Sequence, residues 1–247
     1  MKKYGVQMFG LRDITPSDFR LALKTAKDIG FEQVEFAGFF NNDPEKVREY
    51  LEEFGLEPIS THTGIGDITP ENIEKTIALH KAIGCKYITL PGIWMNTREE
   101  LDKTIEVLNF AQPILEKEGI TLSVHNHWRE FKPTEYGAFS HEELEAKTKV
   151  NFQLDTFWAF FADKDPIALM DYYYSLGRLT MIHLKDGVLD NSKKAALGEG
   201  EAPVEAILTK ALELNIPIIV ESEGLSPSGA EENARCFNFL KKYHETH

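Results

Sequence analysis

The 247-residue sequence lacks several features that would place a protein in a class directly. It has only two cysteines, Cys85 and Cys236, and their spacing indicates neither a disulfide framework nor a cysteine-ligated zinc site. No apolar run is long enough to span a bilayer. Lys and Arg form no basic cluster, and the formal net charge is −13. We therefore expect reduced thiols and a cytoplasmic location, with neither a nucleic acid nor a membrane as partner.

What the sequence does contain is a regular alternation of strand-like and helical segments. The strand-like segments are Tyr4–Phe9, Gln33–Phe36, Pro58–Thr63, Tyr87–Pro91, Thr121–His127, Asn151–Thr156, Thr180–Lys185 and Pro217–Glu223. Alternation of this kind over this length predicts a single (β/α)₈ TIM barrel, with residues 1–247 as one domain. The alternative is an open, doubly wound sheet, which usually carries a glycine fingerprint or phosphate loop after its first strand. Phe9-Gly10-Leu11-Arg12-Asp13 follows that strand here and is neither.

Several helix starts are marked by a capping side chain followed by proline. These pairs are Thr15-Pro16, Asp43-Pro44, Thr69-Pro70 and Asp165-Pro166. In a later connection, Gly198-Glu199-Gly200 is interpreted as a mobile loop near the mouth of the barrel.

Polar side chains collect where the predicted strands end. In a barrel, outward-facing strand residues pack against helices, whereas inward-facing ones can be polar near the C-terminal mouth. Alternation therefore turns Phe152 and Leu154 outward, and Gln153 and Asp155 inward. The same rule directs one set of side chains to the mouth: His62, His125, His127, Asp155, His183, Lys185, Glu221 and Glu223.

This set predicts a metal site. Imidazoles and carboxylates without cysteine suit a divalent ion such as Mn²⁺, Co²⁺, Zn²⁺ or Mg²⁺. Any one of these side chains could instead be a polar residue solvated at the rim. Four successive strands that each end in a ligand-capable side chain favour the site.

Several segments resemble those of one known superfamily. HNHWREF, LDTFWAF, IHLKDG, LGEGEAP and IVESEG are similar to the successive signatures of the xylose isomerase-like TIM barrels, and GVQMFGLRD and GFEQVEF resemble the first two strands. That superfamily includes sugar-phosphate isomerases and epimerases, hydroxypyruvate isomerases, inosose dehydratases and endonuclease IV. The resemblance covers essentially the whole chain.

The resemblance implies four metal ligands from the ends of strands five to eight. Carried over, they fall on His125, Asp155, His183 and Glu221, with His127 in place of His125 if the register of strand five shifts. The isomerases of the group have a glutamate on strand five, paired with the one on strand eight in proton exchange. The histidine here departs from that pattern and is closer to the dehydratases.

We expect the other residues at the mouth to transfer protons or to bind the substrate. Glu221, Lys185 and His127 are the candidates for proton transfer. We expect Lys185, beside a divalent cation and partly buried, to lose its proton more readily than a free lysine. Its protonated form could instead neutralise an enolate oxygen, and an ion pair with Glu221 or Glu223 is the structural alternative. His62, Glu35, Trp158 and Glu223 are candidates for substrate binding, with an ion pair to Arg12 as the alternative for Glu35.

Four functions are compatible with these residues. The first is a metal-dependent isomerase or epimerase that acts through an ene-diolate on a small sugar, keto-sugar or sugar phosphate. The second is a dehydratase or lyase on a keto-inositol or 3-keto-sugar. An abasic-site endonuclease is disfavoured by the charge of −13. A non-enzymatic sugar-binding protein would not need the ligand set. The expected partner is a small carbohydrate, and the oligomeric state is open, homo-oligomers included.

Overall fold

Eight parallel strands close into a barrel in a computed structural model that describes residues 2–191 and 194–247. The strands, in chain order, are β1 (Gly5–Gln7), β2 (Gln33–Phe36), β3 (Glu57–His62), β4 (Tyr87–Leu90), β5 (Thr121–His125), β6 (Asn151–Asp155), β7 (Leu179–Leu184), β8 (Asp186–Gly187), β9 (Lys194–Ala195) and β10 (Ile218–Val220). Around the barrel the order is β1-β10-β7-β6-β5-β4-β3-β2, while β8 and β9 form a separate antiparallel ribbon. The predicted TIM barrel is therefore confirmed.

Helices lie between successive barrel strands, and the last helix follows β10. They are α1 (Phe19–Ile29), α2 (Pro44–Phe54), α3 (Ile73–Ile83), α4 (Arg98–Lys117), α5 (Ser140–Lys147), α6 (Thr156–Phe161), α7 (Pro166–Ser175), α8 (Val204–Glu213) and α9 (Gly229–Thr246). In the described part of the chain, no helix is both long and apolar enough to cross a membrane.

The predicted proline starts hold for two helices and fail for two, and of the two that hold, only α7 has a side-chain cap, from Asp165. Helices α2 and α7 begin at Pro44 and Pro166. Helix α1 instead begins after Asp18, whose side chain accepts the N–H of Leu21, and α3 begins after Asn72. Thr15 and Thr69 lie before these starts, and their hydroxyls donate to the preceding carbonyls of Leu11 and Gly66.

The strand faces are sorted as the alternation predicts. Phe152 and Leu154 of β6 point away from the axis and pack in the buried apolar layer under the helices, and Ile182 and Ile218 do so from β7 and β10. Inside the barrel, Ile59, Met181 and Ile219 form a small apolar cluster. On β7 and β10, that cluster lies two residues before His183 and Glu221. The barrel is therefore apolar at its base and polar toward its C-terminal mouth.

Candidate metal centre at the barrel mouth

Four side chains from adjacent strand ends converge at the mouth of the barrel. His125 ends β5, Asp155 ends β6, His183 lies in β7 and Glu221 directly follows β10. One nitrogen or carboxylate oxygen from each residue lies within 4.8 Å of those from the other three. All four residues are buried. The structure thus brings together the four residues that were predicted to be metal ligands.

Two of the four side chains present atoms that lack hydrogen-bond partners. Neither ring nitrogen of His125 has one among the described residues, and neither has Oδ2 of Asp155. His125 Nε2 and Asp155 Oδ2 lie 3.5 Å apart. A buried polar group without a partner costs about 1–3 kcal/mol, and more when it is charged. A shared divalent ion would satisfy both atoms at once, so the donor set fits such an ion.

The local backbone fixes the direction of the Asp155 carboxylate. Its Oδ1 accepts the N–H of Trp158 at 2.8 Å and so caps α6. The Asn126 side chain accepts the N–H of Asp155 and donates to its carbonyl. Oδ2 is thereby left facing the cluster. Burial, opposed by Lys185, raises the pKa of Asp155 to about 6.

His183 is held between two carboxylates. Its Nε2 lies 2.5 Å from Oε2 of Glu35, and its Nδ1 lies 3.2 Å from Oε2 of Glu221. Burial works against protonation of the ring, but Glu35 and Glu221 outweigh it and raise the pKa to about 10. Because Glu35 occupies Nε2, Nδ1 is the nitrogen that His183 can offer to an ion.

The pKa values of the other two cluster residues, His125 and Glu221, are lowered rather than raised. Burial, together with repulsion from His183 and His62, lowers the pKa of His125 well below its ordinary value. His125 is therefore neutral and can donate a lone pair. Burial disfavours the Glu221 carboxylate, but Lys185 and His183 more than compensate, and its pKa is lowered. Glu221 is therefore ionised.

Glu35 lies beneath this cluster on β2. It is fully buried and accepts hydrogen bonds from Gln7 at 2.8 Å and Gln153 at 2.5 Å. Burial raises its pKa, but the nearby His62 and His183 and the hydrogen bonds from His183 and Gln153 outweigh burial and lower the pKa to about 2. The alternative ion pair with Arg12 is wrong, because the Arg12 guanidinium instead donates to the carbonyl of Glu223. Glu35 therefore orients a predicted ligand, as partners of metal-binding histidines commonly do.

Lys185 lies beside the cluster, surrounded by carboxylates. Its Nζ is 3.0 Å from Oε2 of Glu221, 3.6 Å from Oδ2 of Asp155 and 2.5 Å from Oε1 of Glu223. Burial lowers its pKa, but Glu221, Asp155 and Glu223 outweigh this effect and raise it above the ordinary value. In the protein without metal Lys185 therefore keeps its proton, and the expectation that it loses the proton readily beside a divalent ion stays a prediction. Lys185 is a buried cation.

His127 lies beyond the end of β5 rather than on it. Its ring centre is 5.0 Å from that of His125, and it is not a member of the four-residue cluster. Its buried Nδ1 has no hydrogen-bond partner within the described ranges. Burial lowers its pKa, so the ring is neutral. Of the two histidines, only His125 lies in the cluster with Asp155, His183 and Glu221.

The predicted substrate-binding residues surround the cluster at different depths. His62 lines a cavity of about 370 Å³ at the mouth together with Phe9, His125, His127, Glu221 and Glu223. His62 Nε2 lies 2.9 Å from Oε1 of Gln153. Trp158 is only 5 % exposed, and its ring lies 4.8 Å from Nζ of Lys185 and 4.5 Å from Nζ of Lys194. Burial lowers the pKa of Lys194, against the pull of Glu223.

Asp186 is a structural residue that the sequence analysis did not single out. Its carboxylate accepts the N–H groups of Gly198 and Gly200, both at 2.9 Å, and of Ala202 at 3.1 Å. The loop interpreted as mobile is therefore held by one buried carboxylate. A Cβ on Gly200 would lie 2.2 Å from Oδ1 of Asp186, so only glycine allows this approach. The one sequence feature that could have indicated this role is the Asp186-Gly187 pair, which directly follows His183-Leu184-Lys185.

Gly92, at the end of the β4 region, is a second residue that was missed. A Cβ at this position would lie 2.2 Å from Nδ1 of His127 and 2.5 Å from its Cε1. The absent side chain thus leaves the space in which the His127 ring lies. A single glycine after proline carries no recognisable signal for such a role.

Comparison with known proteins agrees with this architecture. The family model described as xylose isomerase-like TIM barrel matches residues 23–243. Among curated proteins, an inosose dehydratase from Geobacillus kaustophilus is 24% identical over 188 residues, which are 66% of this chain and 60% of that protein. The match thus spans less than two thirds of that relative's length.

Solved structures of similar fold carry different activities in their names. A sugar phosphate isomerase/epimerase from Parabacteroides distasonis superposes with a TM-score of 0.78 at 24% identity, covering 97% of this chain and 93% of the other. A probable 3-DHS dehydratase from Bacillus anthracis superposes with a TM-score of 0.76 at 14% identity, covering 97% and 99%. At these identities the likeness concerns the fold alone.

Proposed function

The chain belongs to the xylose isomerase-like TIM-barrel family, and on that premise we propose that it is a divalent-metal-dependent isomerase or epimerase. Its substrate would be a small sugar, keto-sugar or sugar phosphate, and its intermediate an ene-diolate. The observation that carries the proposal is the convergence of His125, Asp155, His183 and Glu221. Buried atoms of His125 and Asp155 have no hydrogen-bond partner among the described residues.

His125, Asp155, His183 and Glu221 would hold the ion. When bound, a divalent ion supplies Lewis-acid polarisation of adjacent substrate oxygens, which acidifies the neighbouring C–H group. The four donors are two imidazoles and two carboxylates, a set that suits Mn²⁺, Co²⁺, Zn²⁺ or Mg²⁺.

The protein's own groups would move the proton. Glu221 is an ionised carboxylate at the site, and the neutral ring of His127 has an unpartnered Nδ1 within the described residues. Either is chemically able to accept the α-proton of a bound keto-sugar. Lys185 is a buried cation beside them, suited to neutralise a developing enolate oxygen. The sugar would be positioned by four further residues, directly or through Glu221, His127 and Lys185. They are His62, Glu35, Trp158 and Glu223.

A specific observation favours dehydration as the second candidate. His125, rather than a glutamate, ends β5, so no carboxylate on that strand end faces Glu221. Reversible proton exchange by two opposed carboxylates is then not available. Elimination needs one base and one acid, and a cationic Lys185 could protonate the departing β-hydroxyl. The similarity to an inosose dehydratase supports the same reaction class.

The remaining expectations stay predictions. The charge of −13 argues against nucleic acid as a partner. A small carbohydrate ligand, the absence of a membrane partner, a cytoplasmic location and the oligomeric state each await their own test.

The two reactions can be separated with one panel of substrates. Aldo- and keto-sugars, their phosphates, keto-inositols and 3-keto-sugars would be incubated in D₂O with protein loaded with Mn²⁺ or Co²⁺. Isomerisation or epimerisation incorporates deuterium at carbon with no loss of mass as water, whereas dehydration releases water. The matched control is Asp155→Ala, which should lose stoichiometric metal by elemental analysis and all turnover. Full turnover in that variant would overturn the proposed metal dependence.

A further inference from the structure

We propose that Lys185 and Lys194 form a subsite for an anionic group of the substrate, either a carboxylate or a phosphate, and that Glu223 occupies this subsite in the free protein. The inference rests on the proposed function, which it narrows to substrates with an acidic group near the reacting carbons. It concerns binding, so it can be tested without turnover.

The two ammonium groups converge on the same two neighbours. Lys185 Nζ lies 2.5 Å from Oε1 of Glu223, and Lys194 Nζ lies 3.7 Å from Oε2 of the same carboxylate. Both ammonium groups also lie over the Trp158 ring, at 4.8 and 4.5 Å from its centre. One carboxylate is therefore bound between two cations above an aromatic ring, an arrangement suited to any small oxyanion.

Lys194 is brought to this place by elements outside the barrel. It lies on β9, which pairs with β8 through Gly187. The segment that follows β9 is tied to Asp186 through the N–H groups of Gly198 and Gly200. Strand pairing and the segment after β9 therefore hold the backbone at Lys194 in place. The Lys194 side chain remains 25% exposed. Such a lysine can reach both the mouth and the solvent.

Glu223 is suited to be displaced. It lies beyond the end of β10, its side chain is 18% exposed, and the ion pairs described for it are with the two lysines. Its backbone is held independently, because Arg12 donates to its carbonyl at 2.5 Å. The carboxylate can therefore turn toward solvent without moving the loop, and an incoming anion would take its place.

The position of the subsite limits the size of the substrate. Lys185 contacts Glu223 on one side and lies 3.0 Å from Oε2 of Glu221, a member of the ligand cluster, on the other. An anionic group between the lysines is thus within a few bonds of atoms at the cluster. This favours short hydroxy-keto acids or short sugar phosphates over neutral keto-sugars.

The test measures binding of two simple anions to the metal-loaded protein. Inorganic phosphate and glycolate would be titrated at constant ionic strength, followed by tryptophan fluorescence and calorimetry. The variants are Lys194→Met, Lys194→Arg and Glu223→Gln. Lys210→Met is the matched control, since the Lys210 side chain is 24% exposed and pairs with Asp171 and Glu213 away from the mouth.

The proposal makes a distinct prediction for each variant. Lys194→Met should weaken binding by about tenfold or more, as expected when one charge-assisted contact is lost. Lys194→Arg should retain binding, Glu223→Gln should strengthen it because the competing carboxylate is removed, and Lys210→Met should leave it unchanged. The tighter of the two anions identifies the acidic group as carboxylate or phosphate.

Equal affinity in Lys194→Met and the parent would overturn the subsite, as would weaker binding in Glu223→Gln. These outcomes are separable from the proposed function. If the substrate panel shows no reaction, the anion affinities still decide the subsite. If substrates with an acidic group are turned over as well by Lys194→Met as by the parent, and no better than neutral keto-sugars, only the subsite is lost.

Discussion

Nε2 of His183 on β7 lies 2.5 Å from Oε2 of Glu35 on β2, although the two residues are 148 positions apart in the sequence. The contact crosses the interior of the barrel and leaves Nδ1 of His183 facing the ligand cluster. Partners of this kind typically change metal affinity about 10–100-fold when they are removed.

Glu35→Gln should therefore weaken divalent-metal binding about 10–100-fold while the protein stays folded. The amide is similar in size but carries no charge to hold the imidazole. Metal affinity would be measured by competition with a chelator, and folding by circular dichroism. Glu57→Gln is the control, because Glu57 is an exposed residue at the start of β3. Unchanged affinity in Glu35→Gln would show that the carboxylate does not orient His183.

Metal affinity should rise with pH across the neutral range. In the metal-free protein the pKa of His183 is raised to about 10, so a proton occupies Nδ1 below that pH and competes with the ion. One displaced proton gives about a tenfold gain in affinity per pH unit. Below pH 6 the dependence should steepen, because the pKa of Asp155 is raised to about 6.

This behaviour differs from the simplest expectation for histidine ligands, which places the loss of affinity near the ordinary imidazole pKa of about 6.5. Calorimetric Mn²⁺ titrations from pH 6.5 to 8.5, in two buffers of different ionisation enthalpy, would count the released protons. An affinity that is flat over this range, with no proton release, would contradict the assignment of a proton to His183.

Lys185→Met should retain the metal and the fold but lose turnover. The cation is surrounded by Glu221, Asp155 and Glu223, and its raised pKa keeps it protonated, so it acts as a donor rather than as a base. The loss expected for one such group is about 10²–10⁴-fold in rate. Glu223→Gln should lose much less. Metal content and turnover of both variants would be measured on whichever substrate the panel identifies, and a Lys185→Met enzyme within a few-fold of the parent would exclude this role.

Gly92→Ala should lower turnover without loss of metal. The new Cβ would lie 2.2 Å from Nδ1 of His127 and must displace that ring, whereas its three nearest atoms all belong to His127 and none to the four cluster residues. A misplacement of about 1 Å can cost about 10²-fold in rate. Gly66→Ala is the control, since no described atom outside its neighbours lies within 4 Å of a Cβ there. Full activity in Gly92→Ala would mean that His127 takes no part in proton transfer.

The place of the site could be predicted from local pattern. Period-two alternation determines which side of each strand faces the axis, and parallel strands of a barrel all end at the same rim. Asp155 and His183 were therefore assigned to one mouth without knowledge of how the strands pair. The same rule predicted that Leu154 and Ile182 face the helices, and both lie in the buried apolar layer there.

Other properties depend on contacts between strands that are distant in sequence, and these only the closed barrel decides. Alternation placed Lys185 at the mouth, but the direction of its pKa depends on three carboxylates from two other strand ends, which outweigh its burial. Likewise, the partner of Glu35 is His183 rather than Arg12 because barrel closure brings β2 and β7 together across the axis. The sequence by itself thus determined which side chains reach the mouth. The tertiary structure decided which of them carry protons there, because electrostatic energies depend on distances across the barrel rather than along the chain.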